Sequence, residues 1–399
     1  MNINKRKINK ICFVVHAYYP ADETRVKRDA ELLARNGFKV DVICLRDNKE
    51  VKNDLIEGVN VIRLNVKRHR NSPAFVYLLE YIMFLILALF RLTSNHINEK
   101  YSIVQFNTPP DFLVFAGLFI KILGAKIILD MHETLPDLYL DRMGLSQPNI
   151  FVKIIIFFER ISISFSHVII TVSEPVKSII ESRIKNKNIY VIMNVADEKI
   201  FARRNQNEKN NNDKKILMVY HGMVTKSYNL IPVLETIAYL KLESNILKNF
   251  KFEIYGTGIM FNEIKDKIIS LGIADIVHLM GFLQMEDVAK KIMDADIGIV
   301  PVSNTYYSKF ALPTKLLEYA NLGIPTLVPK FETINYYFNQ DMVCYYNLNI
   351  RNDLTNKLKE VISNINLREK MIYNLQTFSN TFSWAQQGDQ YLKIIRELI

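Results

Sequence analysis

Short, unbroken apolar runs alternate with longer helical patterns along most of this 399-residue chain. Residues 11–16, 40–45, 59–66, 103–106, 126–131, 168–172 and 190–193 predict strands, and helical patterns such as 25–36 and 175–184 lie between most of them. The runs are continuous rather than alternating, the pattern of parallel strands buried on both faces. A break follows at 202–215, which is almost entirely charged and amide residues and reads as a surface linker. Alternation restarts with apolar runs at 216–220, 252–255, 276–279, 296–300, 326–328 and 342–345, and the tail from 352 to 399 is helical. The pattern predicts an α/β protein of two Rossmann-like, doubly wound halves. Ligands in such sheets bind at the carboxyl ends of the strands, and a hinge between two facing halves lets a cleft close.

Two stretches depart from this pattern. Residues 74–92 are the most apolar, interrupted by Glu80 and ended by Arg91; the uninterrupted piece, 81–90, is too short to span a bilayer. A buried helix and an interfacial helix are both open there. Residues 151–165 set Lys153, Glu159 and Arg160 among Ile and Phe, which fits a membrane-surface helix or a core helix whose charges reach outward. The net charge of +10 adds weight to membrane contact and favours anionic partners generally. Nucleic acid ranks last, since there is no zinc-finger spacing and no arginine-rich arm. The basic start, 1–10, precedes an apolar run too short for a signal-peptide core, so a first strand is expected there. Cys12, Cys44 and Cys344 show no metal-ligand spacing and read as buried thiols of a reducing cytosol. The length makes two domains the prior expectation, and 49% hydrophobic residues are ample for their cores.

The most informative segment is 311–325. It predicts a loop, a helix starting near Pro313, and a stop at Gly323-Ile324-Pro325. Lys315 and Glu318 are three apart and share a helical face. They can form an ordinary surface ion pair. Alternatively, Glu318 accepts two hydrogen bonds from a ribose diol while the open N–H groups of the helix start hold phosphate, which makes a nucleotide diphosphate site.

The loops at strand ends carry the remaining candidates. Arg25 opens a helix against its dipole, so it serves either an acceptor or phosphate contact or a salt bridge to Asp22 or Asp29. His132 lies between Asp130 and Glu133 at a strand end, suited to acid–base work, a sugar hydroxyl or a metal. Metal is disfavoured, because no second His or Cys cluster is near in sequence. Ser173 and Asp197 are placed as helix caps. Gly222 follows His221, and Gly256-Thr257-Gly258 and Gly281 follow later strands, where glycine lets backbone approach a ligand.

Taken in order, these pieces resemble the group 1 family of retaining, GT-B-fold glycosyltransferases over nearly the whole chain. They are Tyr19-Pro20-Ala21-Asp22 with Arg25-Val26, Asp130-x-His132-Glu133, Val172-Ser173, Asn194-Val195-x-Asp197, His221-Gly222, Tyr255-Gly256-x-Gly258, Gly281-Phe282, Ala295-Asp296-Ile297-Gly298, and Pro313-x-Lys315-x-x-Glu318-Tyr319 with Gly323-x-Pro325. The resemblance implies two Rossmann-like domains facing a central cleft: 1–198 binding acceptor, a linker at 199–215, 216–380 binding the nucleotide sugar, and a helix at 381–399 crossing back to the first domain. It implies a nucleotide-diphosphate sugar donor, UDP-sugar foremost, with no metal or other cofactor, and a glycan or lipid-linked glycan acceptor. By match, Glu318 binds ribose and His132 faces the donor sugar. Lys226 and Lys315 are the candidate cations, and Gly222, Gly256, Gly258, Phe310, Ala311, Leu312 and Thr314 the candidate donor contacts. Tyr19, Asp22, Arg25 and Glu133 are the candidate acceptor contacts.

Two departures from the family pattern stand out. The first glutamate of its paired-Glu motif is replaced by Phe310, eight residues before Glu318. Its Arg and Lys after the His-Gly strand are displaced in the loop Met223-Val224-Thr225-Lys226-Ser227, where Lys226 is the substitute. The expected activity is a retaining hexosyl transfer in bacterial surface polysaccharide assembly, lipopolysaccharide or capsule, at the cytoplasmic membrane face. A sugar-nucleotide epimerase or hydrolase of the same fold, and a degenerate sugar-nucleotide-binding subunit, are the alternatives.

Overall fold

The computed structural model describes residues 9–69, 73–145, 147–203, 215–305 and 307–399. The chain forms two compact units: Met1–Asn194 with Gln387–Ile399, and Val195–Gln386. The division falls between Asn194 and Val195, not at the expected 198, and most of the expected linker (204–214) lies outside the described residues.

Unit 1 is built on an eight-stranded sheet. Its strands are β1 (Lys10–Tyr18), β2 (Lys39–Leu45), β3 (Asn53–Ile56), β4 (Val59–Leu64), β5 (Tyr101–Asn107), β6 (Lys126–Met131), β7 (Val168–Thr171) and β8 (Asn188–Val191). The order is β3-β4-β2-β1-β5-β6-β7-β8, and every pair except β3·β4 is parallel. The strand order reverses between β1 and β5, so their carboxyl ends flank the crevice where ligands of such sheets sit. β3 is an addition to the predicted strands. It is an exposed edge hairpin closed by Glu57 and Gly58, both at positive φ, and only Leu55 and Ile56 in it are apolar. A short half-exposed strand leaves no continuous apolar run to read.

The helices of unit 1 are α1 (Thr24–Arg35), α2 (Ala74–Glu99), α3 (Leu118–Ile122), α4 (Leu135–Arg142), α5 (Ile150–Phe165) and α6 (Glu174–Arg183). Side chains alternate across β1, so both sheet faces need cover. Cys12 and Val14 pack with Phe84, Ala88 and Leu92 of α2 on one face. Ile11 and Phe13 pack with Val26 and Leu33 of α1 on the other, where Tyr391 and Ile395 of the C-terminal segment join them. The apolar stretch at 74–92 is thus part of a 26-residue helix, longer than the pattern indicated. In α5 the charges do not all reach outward. Glu159 is fully buried, and Arg183 Nη1 donates to both its oxygens at 2.8 and 2.9 Å while Nη2 donates to Asp137.

Unit 2 holds a six-stranded, wholly parallel sheet in the order β11-β10-β9-β12-β13-β14. The strands are β9 (Ile216–His221), β10 (Phe250–Tyr255), β11 (Val277–Gly281), β12 (Ile297–Ile299), β13 (Thr326–Pro329) and β14 (Cys344–Tyr346). Its helices are α7 (Ile231–Glu243), α8 (Phe261–Ser270), α9 (Met285–Ile292), α10 (Thr314–Leu322), α11 (Glu332–Tyr337), α12 (Asp353–Ser363) and α13 (Ile365–Thr381). Here the order reverses between β9 and β12, and α10 leads from the loop after β12 into β13. α10 stops at Gly323, which has φ 73° and would bring a Cβ to 2.9 Å from the Arg203 guanidinium.

The last helix, α14 (Trp384–Leu398), belongs to unit 1 from Gln387 onward. There Tyr391 donates to Gln105 Oε1 at 2.7 Å, and Gln387 Oε1 accepts from the Met193 amide at 2.7 Å. Cys12, Cys44 and Cys344 are buried and free, and burial pushes the Cys44 and Cys344 thiols up to about 12.

Replacing Arg183 by Met strands Glu159 in the interior, at a cost of about 3–5 kcal/mol. A lowered urea midpoint is expected. The double variant Arg183→Met/Glu159→Met should recover only part of that loss, because the buried Asp137 carboxylate still lacks its arginine.

Candidate active site

In unit 2 the carboxyl end of β9 places His221 and Gly222 beside α10. His221 Nε2 donates to Glu318 Oε2 at 2.5 Å, and the imidazole packs edge-on against Tyr319 at 4.9 Å. Its Nδ1 is buried without a partner among the described residues. Lys315, the second residue of α10, is 5% exposed. Its ammonium lies 3.2 Å from the centre of the Tyr228 ring and 4.3 Å from that of Tyr220, and it donates to Tyr220 Oη at 3.0 Å. Among the described residues no carboxylate pairs with Lys315. Burial lowers its affinity for a proton and outweighs the opposing pull of nearby Glu318, which brings the group down to about 7. The Pro313 cap supplies no side-chain acceptor to the start of α10, so its first N–H groups are available to an anion.

In unit 1 the carboxyl end of β6 carries Asp130, fully buried. Arg25, from the first turn of α1, grips it through Nε at 2.9 Å and Nη2 at 3.0 Å, and its Nη1 donates to the Ile192 carbonyl at 2.8 Å. Asn107 at the end of β5 donates to Asp130 Oδ2 at 2.8 Å. His132 Nε2 lies 3.2 Å from the same oxygen, with 18% of its side chain exposed. Burial opposes charge on both residues. The Arg25 and His132 cations outweigh it at Asp130, which is held well below the usual carboxylate range. Asp130 in turn raises His132 above an ordinary imidazole. Glu133 is half-buried, and burial raises its carboxyl against the pull of Arg142 and His132.

Several expectations change. Tyr19, expected to contact an acceptor, is fully enclosed in the core. Arg25 is buried, and its ion-pair partner is Asp130 rather than Asp22 or Asp29. Asp22 pairs with Arg68 at 2.7 Å. The ordinary Lys315–Glu318 ion pair does not form, since Glu318 turns to His221 and Lys315 to two tyrosines. Gly256 and Gly258 are required by protein backbone: a Cβ would lie 1.9 Å from the Gly222 carbonyl oxygen and 2.2 Å from that of Val224. Gly222 itself borders Lys315 Nζ. Phe310, Ala311 and Leu312 are half-buried in the loop before α10, and Thr314 and Lys226 are exposed. Ser173 caps α6 as expected, whereas Asp197 accepts from the Lys199 amide in a turn and caps no helix. Asp130, Asn107, His221, Tyr220 and Tyr228 carry no role of their own in the sequence reading. The first four stand at strand ends, a usable signal, whereas Tyr228 lies in a loop and carries none.

Two Rossmann-like α/β units with parallel sheets define the GT-B class of glycosyltransferase structure. The profile described as Glycosyltransferase Family 4 matches residues 23–199, and that described as Glycosyl transferases group 1 matches 201–378. The chain belongs to the group 1 glycosyltransferase family. No match was found among curated proteins. Solved structures share the fold at low identity. Sucrose-phosphate synthase from Thermosynechococcus elongatus aligns with a TM-score of 0.77 and 14% identity over 98% of this chain and 99% of that one. Anabaena Alr3699/HepE in complex with UDP gives 0.69 and 12% over 97% and 100%. WaaG, a glycosyltransferase involved in lipopolysaccharide biosynthesis, gives 0.69 and 14% over 96% and 99%.

Asp130 raises the proton affinity of His132 against the effect of burial. In an NMR titration, His132 should hold its proton to a higher pH than a free imidazole, and Asp130→Asn should move that titration downward. A second check concerns the loop pair after β9 and β10. Gly256→Ala should push the Gly222 loop aside and lower the melting temperature, since neither backbone can yield without losing the 2.9 Å bond from the Gly222 amide to the Tyr255 carbonyl.

Proposed function

We propose that unit 2 binds a nucleotide-diphosphate sugar, with UDP-sugar the first candidate, and that the enzyme passes the sugar to a saccharide or lipid-linked saccharide with retention of configuration. The surroundings of α10 carry this reading: a carboxylate oriented by His221, a lysine caged by tyrosines, and an uncapped helix start, all on one short helix. Glu318 accepts from the ribose hydroxyls, one of its oxygens being fixed by His221. Lys315 and the first N–H groups of α10 hold the diphosphate. As the glycosidic bond breaks, negative charge grows on the leaving phosphate, and these fixed donors stabilise it without a metal. His132, whose proton affinity Asp130 raises, donates to a sugar hydroxyl. The UDP in the Anabaena structure of the same fold supports the choice of base. A role in cell-surface polysaccharide assembly, at the inner face of the membrane, belongs to the same proposal, and WaaG gives it a precedent within the fold. Phe310 favours a second reading, a subunit that binds nucleotide sugar without turning it over.

A thermal-shift panel of UDP, GDP, ADP and CMP with their sugar conjugates tests the donor site. A rise with one nucleoside diphosphate, without added metal, is expected. A flat panel overturns the assignment, and a rise without transfer to any glycan acceptor leaves the non-catalytic reading. Glu318→Ala should weaken donor binding by about 1.5–3 kcal/mol in calorimetry, the loss of a charge-assisted contact; unchanged affinity removes the ribose role.

The lysine gives a pH signature. Free Lys315 titrates near 7. A bound diphosphate raises that value, so at a pH about one unit above it binding must take up a proton, and affinity falls as pH rises further. Calorimetry in two buffers of different ionisation enthalpy reads the uptake. Lys315→Met should abolish it.

A further inference from the structure

Helices on the surface of a soluble domain bury their apolar stripe and show water their polar one. α5 departs from this: it buries Val152 and Ile163 yet leaves a second apolar stripe outside. Its inward side carries Glu159 and Ser162, both fully buried. Its outward side carries Ile150, Ile154, Phe157, Phe158 and Ile161, spaced as one stripe, with Ile150 75% and Phe157 58% exposed. α2 buries Phe84, Ala88 and Leu92 but likewise shows an apolar stripe to the outside. Glu80 and His96 face inward, and Glu80 lies 3.0 Å from His16. Phe75, Leu79, Ile82, Met83, Ile86 and Phe90 form the outer stripe, and no charged residue of α2 is exposed between Phe75 and Phe90.

The two stripes are neighbours. The Phe112 ring touches Tyr81 of α2 at 6.3 Å and Phe158 of α5 at 6.1 Å, and α3 adds the exposed Phe119 and Ile122. A contiguous apolar surface of this kind marks an interaction site. Its border is basic. Lys153 and Arg160 are exposed beside the α5 stripe. At the end of α5, Lys121 Nζ donates to the Phe165 carbonyl, and Lys187 Nζ donates to the Ser166 carbonyl at 2.7 Å. With Lys126 these two lysines stand close enough to His167 to add to the effect of burial and lower its affinity for a proton.

We propose that this surface of unit 1 docks on an anionic lipid bilayer, with the outer stripes of α2 and α5 entering the boundary between headgroups and acyl chains and the lysines and arginines meeting the headgroups. α2 is long and apolar enough to cross a membrane by length and composition. It lies on the surface instead, because Phe84, Ala88 and Leu92 are fully buried in the unit 1 core. A second copy of the chain fits less well, since like basic borders would meet. The proposal does not depend on the sugar-transfer reading, because it rests on these helices alone.

Flotation of the full chain with phosphatidylglycerol/phosphatidylcholine vesicles at low salt tests it, with pure phosphatidylcholine as the comparison. Wild type should float with the anionic vesicles and roughly tenfold less with the neutral ones. Ile154→Ser/Phe157→Ser/Phe158→Ser should lose most of that binding while keeping the wild-type melting temperature. Lys153→Glu/Arg160→Glu should lose roughly tenfold or more and leave the apolar stripe intact. Should the triple variant fold poorly, Phe158→Trp replaces it: its added emission should shift to the blue on anionic vesicles. Absence of wild-type flotation, wild-type binding by the charge-reversed variant, an unshifted emission from the Phe158→Trp variant, or a wild-type dimer that the Ser substitutions dissociate would each overturn the proposal.

Discussion

The Asp130 carboxylate is a fully buried anion, and the arrangement of unit 1 around its candidate site follows from satisfying it. An unpaired charge in such a place costs several kcal/mol, so the chain brings donors from three separate segments. Arg25 comes from α1, Gln105 and Asn107 from β5, and His132 from the loop after β6. The C-terminal segment joins through the Tyr391 hydroxyl on Gln105. Arg25 in turn fixes the chain after β8 through the Ile192 carbonyl. One buried anion therefore sets where α1 begins, how β5 and β6 end, and which way the His132 ring faces. Arg25 placed against its helix dipole is explained by this bond, which outweighs a dipole penalty of about 0.3–1 kcal/mol.

Unit 2 treats its buried charge in the opposite way. Asp130 is surrounded by donors, while Lys315 has π-faces and a hydroxyl. A ring face attracts a cation less strongly than a carboxylate does. The lysine therefore stays charged only in part near neutral pH, and an arriving anion completes the environment that the protein leaves incomplete. The same chemistry bears on the displaced cations of the loop after β9. Lys226 is exposed, where solvent screens it, whereas Lys315 is desolvated and its field on a bound phosphate is correspondingly stronger.

Elements whose cause is local were legible in the sequence. The parallel strands are buried on both faces, so each shows as an apolar run, and the end of α10 shows as Gly323 because an αL residue is needed there. What was hidden has a distant cause. Arg25 and Asp130 are 105 positions apart, and His221 and Glu318 are 97 apart. Spacing along one helix supports a Lys315–Glu318 pair, and only the fold reveals that β9 delivers competing partners to both. The glycines after β9 and β10 were visible as a motif, but the reason for them, one loop backbone lying on another, needs the second loop in place.

The charges of α5 were visible too, yet their direction was not, because the usual assumption sends charge outward and apolar groups in. Once Arg183 pairs with both oxygens of Glu159, the acidic residue belongs to the interior and the Phe and Ile residues are left outside. Helix geometry then leaves no choice: residues on the face opposite Glu159 must be exposed whatever their polarity. A chain that met only water would lose little by placing Ser or Lys at those positions. Keeping Ile154, Phe157 and Phe158 there while burying a carboxylate behind them makes sense for a surface whose outer neighbour is itself apolar.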